Sequence, residues 1–509
     1  MTDHKITINN YVKLFSIFFI IYFYRLGNYS LKIDDELAYF REDPSVWVAQ
    51  GRWAAYLFEN FILQNPSIPY YPLLLFGLFG SAAFLLSTHT REINNYTFGT
   101  FIEFAIFIGF PTWFLMAAFS GNIAAIGMGL LLISTAAYIF KIIIISPTST
   151  TQKPLKILLY LLMAIIAAAA VGIYQAFILV LGVNLIGLII FDSLKNNHSK
   201  GQFFKLIIDI LIICSLSIAL YSAINKIFIY LLEIKPDNYI NGKFFKYETL
   251  IKYPLFMLGE VYRQALKIYG GSKDLFAVQI QSIPILILLS TLTIIISIKR
   301  SPINFPLKIS TTLMVGALLI TPFSLSLIAG QTPTRLLISV PSAISIIFSF
   351  ALFLSKSHIH KLINITGFIV ILASIHSNSI LMGSEAIVNT HDRLLAHQIV
   401  SKITAIENSS SHKHKYMKID ISGAYNFRSS HPRPVNSTWG QSFFDWDNGN
   451  PERIVNYLNY LGYGPYKTYT DQERLSNQEL FIDMPSWPDE KSILKTADGY
   501  LIKLSSTNE

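Results

Sequence analysis

About eleven stretches of this sequence are apolar for roughly the twenty residues that a helix needs to cross a hydrocarbon core. They lie near 11–28, 70–88, 98–117, 120–140, 154–171, 173–191, 205–232, 278–298, 308–328, 334–355 and 361–382. No other feature restricts the fold as much. The run 154–191 is too long for one span, since a helix of that length reaches about 55 Å across a core of about 30 Å. A break is therefore expected at Gly172-Ile173-Tyr174-Gln175. Composition agrees, with 52% apolar and 14% charged residues and a mean hydropathy of +0.45, where soluble domains carry about 25% charge. The expected fold is mainly α, a polytopic helical membrane protein. The one cysteine, Cys214, lies inside an apolar run, so no intrachain disulfide or cysteine-based metal site can form.

The distribution of charge then sets an orientation. With the N-terminus in the cytoplasm, the inner loops hold Arg91; Lys141, Lys153 and Lys156; Lys195, Lys200 and Lys205; Lys299, Arg300 and Lys308; and Lys356 and Lys361. These loops are short and nearly free of acid, as the positive-inside rule asks. The net charge of +9 is explained by them and implies no nucleic acid, since no basic-aromatic stripe accompanies it. The first apolar run lacks a small-residue cleavage site and reads as an uncleaved span. An odd span count places the C-terminal segment outside, with outward loops near 29–69 and 233–277.

From about 385 the composition turns polar. The expected division is a transmembrane part, 1–384, and an outward C-terminal domain, 385–509. The latter opens on an amphipathic helical pattern (Ile387, Leu394, Leu395, Ile399, Ile403). Asn450-Pro451-Glu452 reads as an N-cap, a proline at N1 and a first-turn acid leading into RIVNYLNYL. MKIDIS and GYLIKL alternate as strands do, so a small α/β domain is expected. His391-Asp392-Arg393 reads as a solvated helix face. FFDWDNGN suits either a saccharide contact or a surface loop.

The acidic block Asp34-Asp35-Glu36 directly after the first span is the sharpest chemical feature. Acids at an outer helix end are commonly solvated or caps. Three together, followed by Trp47, Arg52 and Trp53, also suit a general base toward a sugar hydroxyl, or a divalent cation site. Positive charge for a departing phosphate has three candidates: Arg335 in AGQTPTRLL, Arg52, and Arg263 in VYRQALK. Arg335, the first candidate, also reads as an arginine snorkelling to the interface. Tyr174 with Gln175, and Gln331, occupy outward turns and suit sugar hydroxyls or loop backbone. The eleven histidines show no HExxH-type spacing, so a structural metal site is not expected.

The order of first span, IDDELAY, QGRWAAYL, many spans and an outward C-terminal domain resembles the type II-like O-antigen glucosyltransferases of serotype-converting bacteriophages. These belong to the broader GT-C membrane glycosyltransferases. The residue likeness is concentrated in those two motifs. The resemblance implies a multi-pass protein of the bacterial inner membrane with a periplasmic C-terminal domain. It implies transfer of glucose from undecaprenyl-phosphate glucose to the O-antigen of lipopolysaccharide, without a nucleotide-sugar site or other cofactor. A companion synthase of the lipid-linked glucose and a flippase are implied as partners. Asp35-Glu36 with Tyr39 matches the family's base motif best, Asp34 being the close rival, and displacement would be inverting. Metal dependence stays open, because the acids could hold a cation.

Two other functions suit a polytopic chain with outward loops. A flippase or transporter of lipid-linked saccharide usually keeps ionisable groups at midplane, and here Glu103 and Asp209 are the exceptions, near cytoplasmic ends. An O-antigen polymerase or ligase relies more on arginine-rich outer loops.

Overall fold

The computed structural model describes residues 8–63, 70–93, 96–145, 153–195, 200–236, 247–301, 304–330, 332–408, 417–427, 429–435 and 437–505. Gln331 and part of the 233–277 loop lie outside the described residues. The chain divides into two compact units: 1–28 with 43–378, and 29–42 with 379–509.

The first unit is helical. Among the described residues, nine helices are long and apolar enough to cross a membrane. They lie on nine of the eleven expected segments. The other two are α1 (Ile8–Gly27), which carries Asn9, Asn10, Lys13 and Arg25, and the shorter apolar helix Val340–Leu354. The expected break is present: one helix ends at Ile173 and the next begins at Phe177. The segment expected to span from 334 starts instead with a 3-10 turn, Thr334–Leu336, and becomes α-helical only at Val340. Pro341 explains the late start, because a proline is favoured in the first helical turn and disfavoured within a helix.

The second unit contains α2 (Asp35–Phe40), the end of α3 (Ser357–Asn408), and a small α/β fold. That fold runs β1 (Met417–Ser422), α4 (Pro451–Tyr460), β2 (Tyr466–Thr468), α5 (Asp471–Asp483), β3 (Ile493–Lys495) and β4 (Gly499–Lys503). The strand order is β2-β1-β4-β3. β1 is parallel to both neighbours, pairing Ile419 with Thr468 and with Tyr500, and β3 is antiparallel to β4. Central strands are covered on both faces, which is why Ile419, Ile421, Leu501 and Ile502 are all buried.

Local signals held well in this unit. Asn450 caps α4, its side chain accepting from the Arg453 backbone N–H at 3.3 Å, and Pro451 is the first helical residue. The helix α3 does not end near residue 384: the last expected span and the amphipathic segment are one helix. Its buried face also differs from the expected one. Ile387 and Leu394 are exposed, while Val388, Asp392, Leu395, Ile399 and Ile403 are buried. Leu395, Ile399 and Ile403 of the expected pattern lie on the buried stripe, which also takes in Asp392, expected as solvated. Asp392 is satisfied inside by the Ser442 hydroxyl at 2.6 Å and the Phe443 N–H at 2.8 Å.

Candidate functional site

The predicted residues fall into two groups. The acidic block belongs to the second unit, where residues 29–42 fold with the C-terminal segment. Lys32 is only 7% exposed; its ammonium lies 3.1 Å from Glu385 and 3.8 Å from the centre of the Trp439 ring. Ser30 also hydrogen-bonds Glu385. The segment is thus anchored directly ahead of the acids.

Asp34 has a left-handed backbone, φ 79°, at the N-cap of α2. Aspartate tolerates this conformation better than most residues. The turn sends Asp34 and Glu36 to one guanidinium, that of Arg453 in the first turn of α4. Asp34 Oδ1 accepts from Arg453 Nη2 at 2.9 Å, Glu36 Oε1 accepts from Nη1, and Asp447 Oδ2 accepts from Nε at 3.0 Å. One arginine therefore serves three carboxylates, a planar fork that lysine cannot reproduce.

The three are not equivalent. The Asp34 side chain is 40% exposed and that of Glu36 is 0% exposed. Glu36 Oε2 is buried without a hydrogen-bond partner among the described residues. Burial pushes the Glu36 carboxyl up to about 7; the Arg453 guanidinium opposes the rise, and the negative charge of Asp34 adds to it. A single guanidinium does not neutralise three carboxylates, so retaining a proton on the buried one relieves repulsion. Asp35 is buried and accepts from the Tyr29 hydroxyl at 3.2 Å. Tyr39 packs edge-on against Tyr460, ring centres 5.2 Å apart.

The second group lies in the first unit around the Gly-Arg-Trp turn. Gly51 has φ +74°, and a Cβ there would lie 2.6 Å from the Tyr221 hydroxyl. Gln175 donates to the Gln50 carbonyl at 2.9 Å and to the Tyr221 hydroxyl at 3.3 Å. The Arg52 guanidinium lies 5.4 Å from the Trp47 ring centre and 4.9 Å from that of Tyr174. Trp47 Nε1 donates to the buried Glu59. Trp53 stacks on Phe228 at 5.7 Å and lies against Gly172, where a Cβ would fall 2.6 Å from its ring. Five predicted residues (Trp47, Arg52, Trp53, Tyr174, Gln175) are thus brought together.

The other two arginines stand apart from these contacts. Arg335 lies over the Phe119 ring at 4.7 Å, and Arg263 is exposed and paired with Glu260 one turn away. Glu103 is paired with buried Arg91 at 2.7 Å and accepts from Ser345, and Asp209 accepts from Tyr160 at 3.1 Å. Among the described residues, no cluster of three or more His, Cys, Asp or Glu side chains is arranged to hold a metal ion.

Arg453, Glu59 and Tyr221 are not among the expected site residues, and Asp447 is expected only as part of FFDWDNGN, a saccharide contact or a surface loop. Arg453 was visible only as part of a helix start, and no local signal links position 453 to position 34.

The fold and these side chains define a mainly α-helical, polytopic membrane protein carrying arginine-held carboxylates on the segment that follows its first apolar helix in sequence. Its family follows from comparison with known proteins. The chain belongs to the GtrII glucosyl transferase family, whose sequence profile matches residues 23–354, and it is accordingly a glycosyltransferase. No curated protein and no solved structure matches it. The match takes in the acidic block and the Gly-Arg-Trp turn and stops before Arg453.

Proposed function

We propose that the protein transfers glucose from undecaprenyl-phosphate glucose to the O-antigen polysaccharide of lipopolysaccharide, on the periplasmic side of the bacterial inner membrane. The observation that carries this reading is the family match, which spans the acidic block and the Gly-Arg-Trp turn. It favours transfer over a flippase or a polymerase. The N-terminus is cytoplasmic and the C-terminal segment periplasmic in this reading, and serotype conversion by a bacteriophage is its biological setting. The lipid-glucose synthase and flippase are the implied companions.

In this mechanism Asp34 is the general base. Its favour over Asp35 comes from exposure: Asp34 is reachable from solvent and held through one oxygen by Arg453, whereas Asp35 is buried. Arg453 orients the carboxylate, and Glu36 moderates the charge of the cluster. The acceptor hydroxyl loses its proton to Asp34 as its oxygen forms the new bond to the anomeric carbon. The bond from that carbon to the phosphate oxygen breaks on the opposite face, inverting the configuration. The leaving undecaprenyl phosphate calls for a cation, and Arg52, Arg335 and Arg263 are the candidates. Tyr39, Trp47, Trp53, Tyr174, Gln175 and Gln331 are candidates for sugar contacts.

Replacing Asp34 by Asn keeps the backbone preference and removes the base. Membranes bearing Asp34→Asn should transfer glucose from synthetic undecaprenyl-phosphate glucose at least about 100-fold more slowly, with the acceptor KM little changed. A wild-type rate in Asp34→Asn would remove the assignment of Asp34, and a loss confined to Asp35→Asn would move the base to Asp35. Use of a nucleotide sugar by the purified protein would remove the donor.

A further inference from the structure

The carboxyl edge of the sheet in the second unit opens on a cleft that none of these roles uses. Its volume is about 1020 Å³, and its walls are the end of β1, the loop Asp447 to Asn450, and one face of α5. β1 is followed through α4 by β2 on one side, while β4 pairs on the other. In open α/β sheets this change of direction leaves a crevice outside the strand ends where ligands bind. The loop is pressed against β1: at Gly449 a Cβ would lie 2.2 Å from the Gly423 carbonyl oxygen.

The chemistry of the wall limits what fits. Its two cations are committed within the fold. Arg474 Nε donates to buried Asp420 at 2.9 Å, and Lys503 Nζ donates to the Phe481 and Met484 carbonyls, both at 2.7 Å. With Arg474 paired to Asp420, Lys503 held by backbone carbonyls and the exposed Asp471 carboxylate beside them, the lining presents no cluster of cations to recruit an anionic ligand. What remains for a ligand is Asn448, Asp471 and Gln478, planar groups that pair with adjacent hydroxyls. Leu475 and Ile482, 64% and 74% exposed, supply apolar surface for the C–H face of a sugar ring.

We infer that this cleft binds a neutral, hydroxyl-rich stretch of glycan, which on the function proposed above is a part of the acceptor polysaccharide away from the reacting sugar. The same loop carries Asp447, held by Arg453 together with Asp34 and Glu36. Acceptor bound at Asn448 therefore bears on the arginine that orients the proposed base. The family match ends at residue 354 and does not reach this cleft.

The test uses the full-length protein in lipid nanodiscs and, as probe, lipid-free, unglucosylated O-polysaccharide released by mild acid from the host strain with the gene deleted. Gln478→Ala removes an exposed side chain, and Asn448→Gly suits the left-handed backbone there (φ 58°). Each should weaken calorimetric binding at least about tenfold and raise the KM for polysaccharide, and Gln478→Ala, away from the Asp447 loop, should leave kcat unchanged. Glu479→Ala, on the same helix but outside the cleft lining, should bind as wild type. Asp34→Asn should also bind as wild type while losing transfer. Wild-type affinity in both cleft variants, or no binding to the wild-type protein, overturns the inference. Binding that depends on Gln478 in a protein that transfers no glucose removes the proposed function and leaves the cleft assignment standing.

Discussion

Glu36 is the residue on which the acidic block turns. Its carboxyl is fully buried beside Arg453, and burial raises it to about 7 from a usual value of 4.5. The folded state therefore holds this proton more tightly than the unfolded chain. The stabilising contribution is fully present below pH about 4.5 and is lost as pH rises through about 7, a change of about 3 kcal/mol. Glu36→Gln fixes the neutral state. The difference in melting temperature between wild type and Glu36→Gln should move against the wild type between pH 4.5 and 7.5 and level off above. A difference that stays flat across that range would place the carboxylate in a wetter site than the one described. Sequence alone presented Asp34, Asp35 and Glu36 as three similar acids. Their distinct exposure depends on the turn at Asp34 and on a partner more than four hundred residues away.

At the scale of elements, local chemistry was legible where it acts locally. Asn450-Pro451 started α4 as expected, and Gly172-Ile173-Tyr174-Gln175 marked the end of a helix. The buried face of α3 departs from its apolar pattern at Asp392, because that acid has its partners in a distant loop at Ser442 and Phe443. The Gly-Arg-Trp turn shows the same dependence. Gly51 is required twice, by its positive φ and by the Tyr221 hydroxyl against it. Gly51→Ala should cost about 1–2 kcal/mol. Adding Tyr221→Phe should recover only the part due to contact, leaving the backbone strain. Thermal unfolding of the two variants in detergent measures both, and a silent Gly51→Ala would show that the turn adopts another conformation.

For the whole molecule, the division into units does not follow chain order. Residues 29–42 stand between α1 and the rest of the helical unit in sequence, yet they fold with 379–509. Lys32, Glu385 and Trp439 supply the anchor. In hydrogen–deuterium exchange of the intact protein, α2 should gain and lose protection together with β1 and α4 as denaturant rises. Exchange of α2 in step with the helices on either side of it in sequence would contradict this division.

The sequence by itself determined the polytopic helical class and the small α/β unit near the C-terminus, and it singled out the acidic block as the candidate on which the proposed function rests. Apolar runs, caps and strand alternation are short-range properties, and each residue carries its own share of them. Only the tertiary structure decided that Arg453 holds Asp34, Glu36 and Asp447, and which carboxylate is buried. It likewise brought Arg52 to Tyr174 and Gln175 to Gln50. Pairings across such separations arise from chain reversal and the burial of whole faces, and no window of neighbouring residues encodes them.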